Sequence, residues 1–131
     1  MQVMRLKSMI RIYTLGNLLL EEDKLALEVA EALQGRISGI EFVEFDPIET
    51  VEGDVWFMDV VKGIKDVLLV EDACFDRQKV YSMHDFDLSH MLAMLKKAGK
   101  VKSFKMVAIP FGMDKDEAIE KVSKLLKPFS T

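Results

Sequence analysis

The feature that most constrains the fold is a short stretch, residues 55–58, in which every side chain is apolar (VWFM). A strand with one face in water alternates apolar and polar residues, whereas a strand covered on both faces is apolar throughout. Covered strands are typical of parallel sheets that lie between layers of helices. Residues 55–58 therefore predict a buried strand of an α/β fold, and this strand is expected to end at Asp59.

Four other stretches have strand character. They are residues 9–15 before a Gly-Asn pair, 40–45 before Asp46 and Pro47, 67–70 after a turn at Gly63, and 104–109 before Pro110. Proline lacks a backbone donor and so ends a strand readily. The connection from residues 55–58 to 67–70 is too short for a parallel crossover, so the latter is predicted to be antiparallel.

Three helical patterns alternate with these strands. The first runs from Glu22 to a stop at Gly35, with Leu25, Val29, Ala32 and Leu33 at helical spacing. The second and third begin with capping-box sequences, Ser82 to Asp85 and Asp114 to Glu117, and end near Gly99 and Lys127. This order predicts a three-layer α/β/α sandwich with a mostly parallel sheet of about five strands, one of them antiparallel. It forms a single domain over residues 1–131, and whether residues 1–8 belong to the core is left open.

Composition limits the classes of partner. The net charge is −4 and no basic stripe is present, which argues against nucleic acid. No apolar run approaches the roughly 18 residues of a membrane span, and residues 1–8 do not resemble a signal peptide. The only cysteine, Cys74, has no partner for an internal disulfide and no activating base near it in sequence. We expect a cytoplasmic protein without membrane or nucleic-acid partners.

Candidate chemistry lies at the predicted carboxyl edge of the sheet. Glu22 and Asp23 follow the first strand, Asp59 ends the third, and His84 lies in the first turn of a predicted helix. Two carboxylates and an imidazole can hold a divalent transition metal and leave positions open for water or substrate. Each residue also has a structural interpretation, because acids cap helix starts, Asp59 could belong to a turn, and His84 stands in a capping sequence.

Three separate motifs resemble those of the hydrogenase maturation endopeptidases, the nickel-dependent proteases that finish NiFe hydrogenase large subunits. Residues 16–23 (GNLLLEED) resemble the family's G-N-x-L-x-x-acid-acid motif. Residues 57–60 (FMDV) look like its second metal-ligand element, and residues 82–88 (SMHDFDL) are similar to its S-x-H-x-x-x-L segment. The resemblance runs from about residue 10 to residue 126, with the elements in the family's order.

The resemblance implies a role for each matched residue. Asp23, Asp59 and His84 take the metal-ligand positions, and Asn17 and Glu22 belong to the substrate-binding loop. Asp46 matches a further acid near the family's site and is the candidate catalytic residue, orienting water or the scissile peptide.

The resemblance also implies the reaction. The metal would be nickel supplied by the substrate, with zinc or cadmium as possible substitutes, and the partner would be the NiFe hydrogenase large-subunit precursor. The expected activity is that of an aspartic-type endopeptidase that removes the precursor's C-terminal tail, acting as a monomer.

Two alternatives remain open at this point. Residues 24–26 are KLA where the family commonly has Gly-x-Gly, so one alternative is a non-catalytic relative that binds nickel or the precursor. The other is a phosphorylation-receiving domain, which also gathers acids at the ends of parallel strands. The lysine expected at the end of its last strand is replaced here by Ile109 and Pro110.

Overall fold

The computed structural model describes residues 9–15, 24–45, 53–71, 81–82, 99 and 101–130. The strands are β1 (Ile10–Thr14), β2 (Ile40–Glu44), β3 (Gly53–Lys62), β4 (Leu68–Glu71), β5 (Tyr81–Ser82) and β6 (Val101–Pro110). The helices are α1 (Leu25–Leu33) and α2 (Lys115–Leu126), and a 3-10 turn, Lys127–Phe129, follows α2. None of the helices in these ranges is long and apolar enough to span a membrane.

The strands form one sheet in the order β2-β1-β3-β6-β4, and β5 pairs with one end of β3. β1 is parallel to β2 and β3, and β3 is parallel to β6. β4 is antiparallel to β6, and the two-residue β5 is antiparallel to β3. The predicted α/β fold with a mostly parallel sheet is confirmed.

The order of the strands creates a topological switch point. From β1 the chain moves to β2 on one side, and it then returns past β1 to reach β3 on the other side. In open α/β sheets, ligands bind beyond the carboxyl ends of the strands at the place where the order reverses. In this chain that place is the crevice between β1 and β3.

Both faces of the sheet are buried. On one face, α1 and α2 pack on each other and on a cluster that includes Ile12, Met58, Val60 and Ile109. The opposite face carries a second cluster, in which Phe57 and Phe45 make an edge-to-face ring contact with centroids 5.6 Å apart. The helix predicted between Ser82 and Gly99, which would form the third layer, lies outside the described residues.

β3 differs from the prediction in length. It continues for three residues beyond Asp59, to Lys62, because β6 pairs with it as far as Val61 opposite Pro110. The interpretation of Asp59 as a strand end was therefore wrong with respect to β3 itself. β4 has the predicted direction, but it pairs with β6 rather than with β3.

The two described helices follow their sequence signals. The side chain of Asp114 accepts a hydrogen bond from the backbone N–H of Glu117 at 3.2 Å, which confirms Asp114 as the N-cap of the predicted capping box. α1 begins at Leu25 and buries Ala26, Val29, Ala30 and Leu33. Ala32, predicted to lie on the buried stripe, is only half-buried, because the apolar face is rotated toward Ala26 and Ala30.

Candidate active site

Asp59 is the first residue of β3 to pass the end of β1. The last paired residues of these two strands are Thr14 and Met58. The Leu15 N–H then donates to the Met58 carbonyl at 2.9 Å, after which the chain leaves the sheet. Asp59 is thus internal to β3 but lies at the carboxyl edge of β1, inside the switch-point crevice.

The Asp59 side chain is only 1% exposed. It shares a face of the sheet with its alternate neighbours Phe57 and Val61, which belong to the second apolar cluster. One carboxylate oxygen, Oδ1, accepts a hydrogen bond from the backbone N–H of Val60 at 2.8 Å. Asp59 is therefore a buried carboxylate at the level where β1 ends.

The edge of β3 at Asp59 and Val60 lies between two paired regions. β1 covers the strand as far as Met58, and β5 resumes pairing at Val61 and Lys62, opposite Ser82 and Tyr81. Leu15 and Ser82 thus lie on either side of the interval at Asp59 and Val60. The segments that carry the first and third sequence motifs follow Leu15 and begin at Ser82, respectively.

A second buried polar side chain lies at the same end of the sheet. Thr14 is 1% exposed, and its hydroxyl oxygen Oγ1 has no hydrogen-bond partner among the described residues. Buried polar atoms are nearly always satisfied, so an unsatisfied hydroxyl needs an explanation. Thr14 and Asp59 are the only buried polar or charged residues in the described part of the chain, and both lie where β1 ends.

A cleft of about 530 Å³ opens at the carboxyl ends of β3 and β6, beside the start of α1. Its lining combines apolar and charged side chains: Lys24, Leu25, Glu28, Val60, Phe111, Gly112, Met113 and Lys115. Val60 follows Asp59 directly, so the cleft and the buried carboxylate lie on opposite sides of one strand at the same level.

Of the residues singled out from the sequence, the structure describes Asp59. Asn17, Glu22, Asp23, Asp46 and His84 lie outside the described residues, as does Cys74. Their described neighbours are Lys24 at the start of α1, Phe45 at the end of β2 and Ser82 in β5. Within the described ranges, no three His, Cys, Asp or Glu side chains are close enough to hold a metal ion.

Sequence reasoning missed Thr14 and Phe111. A threonine inside a β-rich stretch has no sequence signal that distinguishes it from an ordinary strand residue. Phe111 does carry a weak signal, because it stands between Pro110 and Gly112, where a turn exposes its side chain.

Two solved proteins from Escherichia coli are similar to this chain. The hydrogenase maturating endopeptidase HybD superposes with a TM-score of 0.62 at 15% identity, over 92% of this chain and 94% of that one. The solution structure of an endopeptidase superposes with a TM-score of 0.58 at 18% identity, over the same shares. No family model and no curated protein sequence matches the chain. Over more than nine-tenths of its length, the chain has the fold of a hydrogenase maturating endopeptidase, as the motifs predicted.

Proposed function

We propose that this protein is an endopeptidase that removes the C-terminal tail of a NiFe hydrogenase large-subunit precursor after nickel has been inserted. The observation that carries the proposal is the buried carboxylate of Asp59 at the switch point of this fold. Both chain segments that border this carboxylate bear the matching family motifs. The likeness to HybD supports the fold on which the proposal rests.

His84 is the proposed imidazole ligand, and the pairing of β5 supports its position. Ser82 lies opposite Val61 in an antiparallel register. Val61 is two residues beyond Asp59 on β3, so the segment that bears the S-x-H-x-x-x-L motif begins beside the strand that carries Asp59. This starting point supports His84 as a ligand to the same metal.

Asp23 is the proposed second carboxylate ligand. It precedes Lys24, the residue that begins α1 and lines the cleft beside Val60. Asp23, Asp59 and His84 would supply three ligands, which leaves coordination positions for groups of the substrate. The nickel would belong to the precursor, with zinc or cadmium able to take its place, so the three residues would recognise a loaded precursor rather than retain a metal. Asn17 and Glu22, in the same loop, are the proposed substrate contacts.

Asp46 is proposed to orient a water molecule or the scissile peptide. It follows Phe45, whose N–H donates to the Thr14 carbonyl at 2.9 Å, so the chain leaves β2 at the level where β1 ends. β2 lies two strands from β3, about 10 Å away. Hydrolysis would then depend on positioning a peptide bond beside the substrate's own metal.

We also propose that the protein acts in the cytoplasm as a monomer. β2 is one of the two outer strands of the described sheet, and an open outer strand is a template for association. The Gln34 side chain closes this strand, donating to the Phe42 carbonyl at 2.6 Å and accepting from the Phe42 N–H at 3.1 Å. A strand closed in this way does not favour edge-to-edge dimers.

The test is trimming of a nickel-loaded large-subunit precursor, followed by the mass of the product. The nickel-free precursor, casein and a free tail peptide should remain intact, because they do not supply the metal that completes the site. Equal trimming of the nickel-free precursor would refute metal-guided recognition. Binding without trimming of any cognate precursor would favour a non-catalytic relative.

A further inference from the structure

We propose that the cleft beside Phe111 holds the tail that the enzyme removes, and that it selects a tail with an apolar side chain close to carboxylate groups. This inference rests on the proposed function and deepens it, because it names the part of the precursor that the cleft binds. It concerns the cleft lined by Val60, Phe111, Met113, Lys24 and Lys115, which we call the tail cleft.

Phe111 is presented by a fixed turn. Its N–H donates to the Val61 carbonyl at 2.9 Å, and the Met113 N–H donates to the Pro110 carbonyl at 3.2 Å. Gly112 supplies the positive φ of +85° that the turn requires. The backbone is therefore held on both sides of a ring that is 49% exposed. A fixed aromatic side chain loses little entropy when a partner covers it, which makes Phe111 a suitable anchor.

The exposure of Phe111 is unusual for this protein. Among the described residues, the only other large apolar side chain with comparable exposure is Met9, at the opposite end of the sheet. Single exposed apolar residues are common and need no function. Phe111 differs from Met9 because it lines the cleft at the carboxyl end, where the proposed site lies. Its N–H is bonded to the carbonyl of Val61, which is two residues beyond Asp59 on β3.

The charge of the tail cleft indicates the chemistry of its occupant. Lys24 and Lys115 line it, and the Lys62 ammonium lies 5.6 Å from the centre of the Phe111 ring. Among the described lining residues, Glu28 is the one carboxylate. Lys62 and Lys115 thus bring ammonium groups to a cleft that also presents an apolar ring. This combination fits a peptide that offers an apolar side chain and nearby carboxylates.

The cleft is close to Asp59 along the chain but lies on the other face of the sheet. Val60 faces the helix-covered side, whereas the neighbouring Asp59 faces the other side. A tail seated in the cleft would lie beside Val60, one strand residue or about 3.3 Å from Asp59 along β3. The tail would be anchored on one side of β3 while the metal-bearing part of the precursor docks on the other.

The experiment is a double-mutant cycle on binding. Two nickel-loaded precursors are compared, one with its native tail and one whose tail is replaced by Gly and Ser. Both are immobilised and titrated with the full-length protein carrying Asp46→Ala, so that trimming does not consume them. Phe111→Ala is added to this background, with Met9→Ala as the matched control because it truncates the other exposed apolar side chain.

We expect Phe111→Ala to weaken binding of the native-tail precursor by about tenfold, the usual effect of losing an interface anchor. Binding of the Gly/Ser precursor should change less than about twofold, and Met9→Ala should leave both within that range. Lys62→Glu with Lys115→Glu should also weaken native-tail binding, and more so at low salt, whereas Lys102→Glu should not.

Three results separate the possible failures. If Phe111→Ala weakens binding of both precursors equally, or of neither, the tail cleft is refuted and the proposed function stands. If Phe111→Ala instead abolishes self-association in sedimentation without affecting precursor binding, the surface belongs to a second copy of this chain. If the parent protein binds neither nickel-loaded precursor, the proposed function fails together with the inference that rests on it.

Discussion

The two ends of the sheet have clefts of similar size, but the polar side chains at the two ends differ in how deeply they are buried. At the amino end, a cleft of about 560 Å³ is lined by Met9, Ile10, Arg11, Tyr13, Glu41, Asp54, Val55 and Trp56. At the carboxyl end lies the tail cleft of about 530 Å³. Volume alone does not distinguish them.

The charges at the amino end are exposed and paired. Arg11 contacts Glu41 at 3.3 Å, and the Asp54 carboxylate accepts a hydrogen bond from the Ser103 hydroxyl at 2.6 Å. The pKa of Arg11 is raised, first by a hydrogen bond with Tyr13 and then by Glu41. These groups are satisfied in water, and pairs of this kind contribute little to stability.

The polar side chains at the carboxyl end, in contrast, are buried. Asp59 and Thr14 are each 1% exposed, and the Thr14 hydroxyl has no hydrogen-bond partner among the described residues. Polar groups that are costly to bury persist at functional sites, where they serve binding or chemistry. The two ends therefore differ in the burial of their polar side chains and not in the size of their clefts.

The largest expected effect is the loss of processing in Asp59→Ala. We expect trimming of the nickel-loaded precursor to fall at least about a thousandfold, because a ligand to the reacting metal is removed. Asp54→Ala, an acid of the same strand at the amino end, should trim within about twofold of wild type. Similar losses in the two variants would remove the distinction between the two ends.

The second prediction concerns stability at neighbouring positions of β3. Phe57→Ala should cost about 3–5 kcal/mol of unfolding free energy, because it removes a fully buried ring that packs against Tyr13 and Phe45. Asp59→Asn should cost much less than Phe57→Ala, because the amide has nearly the same shape as the carboxylate and keeps an oxygen that can accept from the Val60 N–H. Urea denaturation measures both. A large destabilisation by Asp59→Asn would indicate a structural role for the carboxylate.

The third prediction concerns the side edge of the sheet. Gln34→Ala should cost about 1–3 kcal/mol of unfolding free energy, because both backbone groups of Phe42 lose their partner. It should also promote concentration-dependent association through β2. Gln34→Glu is the control, since it keeps the acceptor for the Phe42 N–H and loses only the donor. A monomeric and fully stable Gln34→Ala variant would contradict this account of β2.

The smallest expected effect belongs to an exposed ion pair, Lys121 with Asp66 at 2.8 Å. The Lys121 hydrogen bond, followed by one from the Val67 N–H, lowers the pKa of Asp66. A lowered carboxyl pKa contributes stability that is present above the ordinary pKa of Asp and is lost as the pH falls through the folded-state value.

Asp66→Asn should therefore destabilise the protein slightly at pH 7, and the difference from wild type should shrink below about pH 4. Denaturation of both proteins across this range measures the effect. A difference that grows in acid would have the wrong sign for this pair. Lys124→Ala, which breaks an exposed pair with Glu120, is the matched control and should have no larger effect.

The sequence was most informative where periodicity and capping decide local structure. The capping box at Asp114 predicted the start of α2, and the apolar residues of β3 predicted a strand covered on both faces. The full length of β3 was not predictable, because a charged residue usually ends a strand, and the support from β6 as far as Pro110 is a tertiary contact. The partner of β4 was unpredictable for the same reason.

The candidate site was only partly predictable. The motifs singled out Asp59, and the structure adds its burial and its position in the crevice. The unsatisfied Thr14 hydroxyl and the closure of β2 by Gln34 depend on residues brought together from distant parts of the sequence. No local pattern encodes such contacts. The proposed roles of Asn17, Glu22, Asp23, Asp46 and His84 stay predictions.

The most direct measurement is a titration with cadmium, followed by amide shifts in NMR spectra. The central claim is that a metal binds at the carboxyl end, where the Val60 N–H donates to the Asp59 carboxylate. We predict that cadmium shifts the amides of Val60 and Leu15, that the shifts weaken below about pH 6 as His84 binds protons, and that Asp59→Ala abolishes them. The amides of Arg11 and Ser103, at the amino end, should not move. Shifts confined to the amino end, or the same shifts in Asp59→Ala, would contradict the account.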